Sequence, residues 1–480
     1  MDFKPVFFII GILVSILALS MVIPMCADLY FGNEDWKIFF MCIIVTSFFG
    51  GSLILNNNSK IIKIGTRQAF MMISLSWFML SIFAALPFTL ADMNMSFTDS
   101  FFEAVSGLTT TGSTVITGLE DAPPGILLWR AILQWLGGIG IILMAMSVLP
   151  FLNIGGMQIF RTELSENEKV LPRTAQLAGS IGLIYAIFTV ICIICYMLSG
   201  MQTFDAIAHA LSTISTGGFS TYDSSFMHYN DTIWPEMVCI LFMVVGSLPF
   251  VLYLKAVRGN LRPLFTDTQV RWFMIIITAT ILTLSAYLVA NYQYDFLDAL
   301  RRSAFNVISI ITGSGFANDD FNAWGTFAIC IFFFLMLIGG CAGSTTCSIK
   351  IFRYQVLFAV TAVQVKKLLY PHGVFIPHYN GKPIPADVPM SVMAFFFIYM
   401  LTCAVVAIAL AFVGLDYIEA MSGAVTAVSN VGPGLGAIGP DGNFQHLPDS
   451  AKWILSFAML IGRLEIFTVL VFLMPQFWRK

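Results

Sequence analysis

Ten apolar runs, each long enough for a helix to cross a bilayer, constrain this chain more than any other feature. They fall near residues 5–25, 37–55, 68–90, 126–151, 180–200, 234–257, 272–291, 325–360, 390–413 and 452–474; a crossing helix needs about 20 apolar residues. Backbone polar groups in hydrocarbon must find partners within their own segment, so such runs read as helices. Composition agrees: hydrophobic residues make up 58% and charged residues 11%, where a soluble domain carries roughly 25% charged. A chain of 480 residues with 24 basic and 27 acidic side chains cannot wet the surface of a soluble fold. Soluble enzymes, nucleic-acid binders and disordered scaffolds are excluded, and a net charge of −3 offers nothing to a polyanion. The expected fold class is an all-α polytopic membrane protein. The first run follows an acidic Asp2 and lacks a small-residue cleavage site, so it reads as a retained span rather than a signal peptide.

Charge sets the orientation. Lys60, Lys63 and Arg67 fall in one loop and Arg161, Lys169 and Arg173 in a second. Lys255, Arg258, Arg262 and Arg271 mark a third, and Lys350, Arg353, Lys366, Lys367 and Lys382 a fourth. With Lys4, Arg479 and Lys480 these share one face if the segment between 90 and 126 and its three counterparts do not cross. The positive-inside rule makes that face cytoplasmic. The opposite face collects acids, among them Asp92, Asp99, Glu120, Asp205, Asp223, Asp319 and Asp441. A cation pathway accounts for them, since acidic vestibules concentrate cations; solvated loops account for them as well. The nine cysteines lie mostly in apolar runs, and the C-x-x-C of Cys192 and Cys195 has no histidine nearby, which reads as helix packing.

Between consecutive spans lie four short segments: DSFFEAVSGLTTTGS (99–113), DAIAHALSTISTGGF (205–219), RSAFNVISIITGSGF (302–316) and EAMSGAVTAVSNVGP (419–433). Aligned without gaps, they bring Gly112, Gly218, Gly315 and Gly432 into register, with Asp99, Asp205, Arg302 and Glu419 thirteen residues earlier. Acids suit a helix N-terminus; the third segment departs, with Asp298 one turn upstream. Further on come Gly138, Gly246, Gly339 with Gly340, and Gly462. Each unit therefore reads as span, re-entrant helix, glycine loop, span. The chain divides into two N-terminal helices (1–67), repeat 1 (68–177), repeat 2 (178–268), repeat 3 with a broken inner helix (269–388) and repeat 4 (389–480).

Non-helical backbone at membrane depth survives only where protein buries it or it lines a watery cavity. Four such loops around a pseudo-fourfold axis can line one cavity. A helix stopping mid-membrane aims its partially negative C-terminus inward, which favours a cation. The returning backbone can replace a cation's hydration shell with carbonyls, and glycine permits the φ values that aim them.

LTTTGST, ISTGGFST, TGSGF and SNVGPG, together with LIGRLEIFTVL near the end, resemble the Trk/Ktr/HKT superfamily of potassium transport proteins. The two extra N-terminal spans resemble its TrkH/TrkG type of bacterial uptake subunit. The resemblance covers essentially the whole chain. It implies four helix–pore-loop–helix units around one potassium path, a homodimer, and residence in the bacterial inner membrane. It also implies a potassium-binding filter made of Thr110, Thr111 and Gly112; Thr216, Gly217 and Gly218; Gly313, Ser314 and Gly315; and Asn430, Val431 and Gly432. Glycine rather than serine at position 112 implies potassium over sodium.

Two elements read as gates. Arg463 is the basic residue in the middle of the last span, where a charge must face a cavity or a partner. It is an electrostatic barrier in the ion path, a brace for pore-loop carbonyls, or a partner of Glu465, although residues two apart on a helix do not face each other. The resemblance favours the first. The run GGCAGSTTCS (339–348) interrupts its span with small and polar residues, which packs helices closely or breaks the span mid-membrane. The resemblance implies a movable intramembrane loop built on Gly339, Gly340, Gly343, Ser344 and Thr345. No nucleotide-binding fingerprint and no organic cofactor site occurs in the sequence, so nucleotide control falls to a partner. The resemblance implies a cytosolic ring of TrkA-like RCK subunits docking on the basic loops. The competing reading is an ion-coupled carrier, a symporter with H⁺ or Na⁺, which would use intramembrane carboxylates; Glu465 alone lies at that depth. No nucleophile–base set supports an enzyme.

Overall fold

A computed structural model describes residues 3–57, 65–147, 156 and 171–479. Lys60, Lys63, Arg161, Lys169 and Lys480, part of the charge pattern above, lie outside the described residues. The chain is an all-α membrane protein. Its first span runs Lys4–Ser20 and continues past Met21 as Val22–Phe31, and Trp36–Asn57 returns beside it. These two helices cross closely because both carry glycine at the crossing: a Cβ on Gly11 would stand 2.8 Å from the Gly50 carbonyl oxygen.

Four units follow. The outer helices are Thr66–Leu90, Leu171–Leu198, Thr268–Tyr292 and Asp387–Phe412. The re-entrant helices are Phe97–Leu108, Thr203–Ile214, Phe296–Thr312 and Tyr417–Ser429, and the inner helices begin with Pro124–Ser147, Ile233–Ser247, Gly325–Met336 and Asp449–Arg463. Re-entrant helices of 12, 12, 17 and 13 residues are too short to cross; twelve residues span about 18 Å. Each packs against the outer and inner helices of its own unit and the inner helix of the preceding unit, and the first closes the ring against the fourth.

The structure corrects several sequence expectations. The span expected over 234–257 turns by 94° after Ser247 and resumes as Phe250–Val257. Pro249 causes this, having no N–H for the helix and driving Leu248 to an extended ψ of 155°. The 325–360 span is interrupted over 337–350, wider than the glycine-rich run, before Ile351–Leu369 begins. The last span is also broken, stopping at Arg463 and resuming at Phe467, with Glu465 at φ +57°. Only the first unit's inner helix runs without a break, through Ser147. The third re-entrant helix does not open at Arg302: it begins at Phe296, with the Asp295 side chain accepting from the Leu297 N–H. Arg302 sits well inside it, paired with Asp298 at 2.8 Å and Asp319 at 2.9 Å. Between units 3 and 4 a small hairpin pairs His378 with Pro383 and Tyr379 with Lys382.

Candidate ion-binding site

The four re-entrant helices end in one way. Thr110, Thr216, Gly313 and Asn430 take left-handed φ values of 51°, 52°, 70° and 53°. The next N–H, on Thr111, Gly217, Ser314 and Val431, reaches back to the carbonyls of Ser106, Ser212, Ser309 and Thr426 at 2.8, 2.9, 2.9 and 3.1 Å. This closure satisfies carbonyls that the helix end would orphan. The residue after that is left-handed again: Gly112, Gly218, Gly315 and Gly432, at φ 88°, 83°, 80° and 114°. In an ordinary extended strand successive carbonyls face opposite ways. Alternating left-handed with ordinary φ turns every second peptide over, so neighbouring carbonyls face one side.

The four glycines meet the four carbonyls in a closed ring. A Cβ on Gly112 would collide with the Gly217 oxygen, and one on Gly218 with the Ser314 oxygen. A Cβ on Gly315 would stand 2.5 Å from the Val431 oxygen, and one on Gly432 2.7 Å from that of Thr111. All twelve residues expected at the filter are thus drawn together by the same local geometry. The glycines also floor a cavity of about 340 Å³ whose walls include Asp223 and Asp441.

Each returning strand is held by its own re-entrant helix through a side chain nine or ten residues before the glycine. Glu103 accepts from Thr114 Oγ1 at 3.0 Å and the Val115 N–H at 3.0 Å. His209 Nε2 lies 3.1 Å from Ser220 Oγ, Asn306 donates to Asn318 at 2.8 Å, and Ser422 Oγ accepts from the Leu435 N–H at 2.9 Å. Glu103 carries a buried charge and is matched by buried Arg130 at 2.8 Å, as a buried carboxylate requires. Sequence reasoning gave none of these residues this role, and it passed over a hydroxyl six residues before every glycine: Ser106, Ser212, Ser309 and Thr426. The ungapped alignment already displayed that column. Two of these hydroxyls grip the strand, Ser309 Oγ donating to the Phe316 carbonyl at 2.5 Å and Thr426 Oγ1 accepting from the Gly432 N–H at 3.1 Å.

Below the ring, the inner-helix glycines make room for the re-entrant helix ends. Cβ atoms on Gly137, Gly246 and Gly462 would press on the carbonyls of Leu108, Ile214 and Val428, each four residues before its ring glycine. Gly137, not Gly138, is therefore the first-unit equivalent. Gly339 and Gly340 do not share this role, because they pack within the third unit's own loop, against the Cys347 carbonyl and the Thr346 side chain.

That loop is buried beneath the second unit. The Gly339 N–H donates to the Ile349 carbonyl at 3.0 Å and closes its neck. The Gly343 carbonyl accepts from the Phe250 N–H at 3.0 Å, and Ser344 Oγ lies 2.7 Å from Thr346 Oγ1. At its tip, Thr345 Oγ1 donates to the Gly246 carbonyl at 3.0 Å and accepts from Thr216 Oγ1 at 3.0 Å. Thr216 is one of the left-handed residues, so the loop touches the ring's underside. Buried Arg463 joins this tip to the opposite wall: Nη2 donates to the Gly137 carbonyl at 3.0 Å, while Nη1 reaches the Thr345 carbonyl at 3.4 Å and the Cys347 thiol. Glu465 is engaged by Arg353 at 2.5 Å, so it is not the partner of Arg463.

Comparison with known proteins adds a wider frame. A family model described as TrkH, cation transport protein, matches residues 36–480. The chain is 43% identical to the Trk system potassium uptake protein TrkI of Halomonas elongata, over 99% of this chain and 97% of that protein. It is 34% identical to the Trk system potassium uptake protein TrkH of Escherichia coli over the whole of both. The crystal structure of the potassium transporter TrkH from Vibrio parahaemolyticus superposes with a TM-score of 0.93 at 35% identity, covering all of both chains.

Proposed function

Because the chain belongs to the TrkH family of cation transport proteins, we propose that it carries potassium into the cell through the ring of Gly112, Gly218, Gly315 and Gly432. The observation that carries this reading is the ring itself, four glycines each set against the next unit's carbonyl. A bare monovalent cation needs several oxygen ligands in place of water, and carbonyls facing one side supply them without a net charge that would trap the ion. Thr110, Thr111, Thr216, Gly217, Gly313, Ser314, Asn430 and Val431 complete the potassium-binding set, and Asp223 and Asp441 draw cations into the outer cavity.

The buried loop of Gly339, Gly340, Gly343, Ser344 and Thr345 is the gate, and Arg463 is its latch. What supports this is position: the loop tip hydrogen-bonds Thr216 from below, and the Arg463 guanidinium ties it to Gly137. A cation 4 Å from that guanidinium would be repelled by about 4 kcal/mol at an effective dielectric of 20. The functional protein is a homodimer in the bacterial inner membrane, controlled by a cytosolic TrkA-like RCK nucleotide-binding ring on its basic face. The carrier reading is weaker, since the buried carboxylates of Glu465 and Glu103 are committed to Arg353 and Arg130.

Gly112→Ser tests the filter. The added side chain meets the Gly217 carbonyl, and the expected outcome is a potassium-to-sodium uptake ratio reduced severalfold in a transport-deficient host. An unchanged ratio at normal expression would refute the assignment of Gly112.

A further inference from the structure

The ring is fourfold in backbone but not in what stands behind it. Of the four carbonyls that face its glycines, those of Thr111, Ser314 and Val431 accept no hydrogen bond among the described residues. The fourth, on Gly217, accepts one from the buried Gln134 side chain, Nε2 to O at 2.6 Å. The same amide turns its other end to the strand, Gln134 Oε1 accepting from the Phe219 N–H at 3.1 Å. One side chain thus clips the second-unit strand on both sides of Gly218. A Cβ on Gly217 would collide with that amide, so the clip is seated directly on the backbone.

Gln134 belongs to the unbroken inner helix of the first unit. Arg130, Gln134 and Gly137 lie four and three residues apart and share a face. Arg130 donates to the Ser220 carbonyl at 2.8 Å, and the Gly137 carbonyl accepts from Arg463. The equivalence of Gly137, Gly246 and Gly462 puts Met243 and Met459 where Gln134 stands in the first unit. Those two positions offer no amide.

We infer that Gln134 is a specificity-determining residue that acts by positioning and polarising the Gly217 carbonyl; the inference rests on the filter reading above. A carbonyl already accepting from an amide N–H has less electron density free for an ion, and the donor's partial positive charge stands behind it. Lower ligand field favours a large, weakly hydrated cation over a small, strongly hydrated one. The clip also stops the strand from closing in on a smaller ion. Both effects favour potassium and rubidium over sodium.

Gln134→Met gives the first unit the residue found in the second and fourth, with little change of volume. The expected result is a potassium-to-sodium ratio lowered about fivefold, the worth of one net hydrogen bond, with sodium uptake rising in absolute terms. Gln134→Asn keeps a buried amide but draws it back by one methylene, and should give an intermediate ratio. Uptake of potassium, rubidium and sodium is measured per assembled molecule, with Gly112→Ser alongside. A purely structural role would lower all three ions together, so a wild-type ratio in either assembled Gln134 variant overturns the inference. Loss of assembled protein in both variants also overturns it, making Gln134 a folding residue. If Gly112→Ser shifts the ratio and the Gln134 variants do not, only the inference fails; if none shifts it, the filter reading fails.

Discussion

Thr216 holds a backbone conformation that a β-branched residue avoids, at a cost on the order of 1–3 kcal/mol. Its hydroxyl meets Thr345 Oγ1 at the loop tip, so the residue joins ring to loop. Thr216→Val keeps the shape and removes that bond. Basal cation flux should rise, and thermal stability should fall by about 1 kcal/mol; flux at or below wild type would separate the bond from gating. Arg463 allows a sharper comparison. Arg463→Ala removes both the charge and the tie between Gly137 and Thr345, and should raise monovalent cation flux in assembled protein. Arg463→Lys keeps the charge without the planar fork and should stay near wild type if charge dominates; high flux in the Lys variant would assign the role to the hydrogen bonds. Position 112 was legible in the sequence because a glycine advertises unusual φ. The left-handed Thr110 and Thr216 were not, since nothing in a threonine announces φ near +50°, whereas asparagine, as at Asn430, visits that region more readily. Arg463's partners were invisible for another reason: Gly137 and Thr345 come from other units, far away in sequence.

Whole elements were easier to read than their interruptions. Hydropathy averaged over about twenty residues finds a span but passes over a break shorter than the window, as at Ser247 and at Glu465. Pro249 was the overlooked sign in the second unit. The last break has no such mark: Glu465 is left-handed there and paired with Arg353, and glutamate carries no preference for that conformation. The third unit was legible, because ten small and polar residues cannot pass for a helix in lipid. Deleting three residues within 339–348 should shorten the loop's reach to Thr216 and raise basal flux severalfold. Flux counted per inserted molecule checks this, and an unchanged or lower value would leave the loop as packing.

Across the whole molecule, the first two helices are fastened to the ring's scaffold. Buried Asp28, from the first span, accepts from the Gly125 N–H at 2.6 Å, in the first turn of the unbroken inner helix. It acts as an N-cap supplied from another element. A Cβ on Gly125 would collide with the Asp28 carboxylate, so Gly125→Ala should cost about 1–3 kcal/mol. Asp28→Ala should cost about 0.5–2 kcal/mol. Because the alanine at 125 could occupy the vacated space, the double variant should lose less than the sum. Thermal unfolding of the three purified variants checks the cycle, and strict additivity would show that the two residues do not meet.

Joining four units in one polypeptide changes what a single substitution can do. Four identical subunits around an axis repeat every side chain four times. An arginine at the level of Arg463 would then appear as four guanidiniums, adjacent ones repelling by about 3 kcal/mol at 6 Å and an effective dielectric of 20. In the covalent ring the places equivalent to Arg463 hold Gly138 and Ser247, and those equivalent to Gln134 hold Met243 and Met459. One codon therefore alters one quarter of the circumference. Selectivity and leak can be adjusted in single-ligand steps, a finer scale than any symmetric tetramer has available.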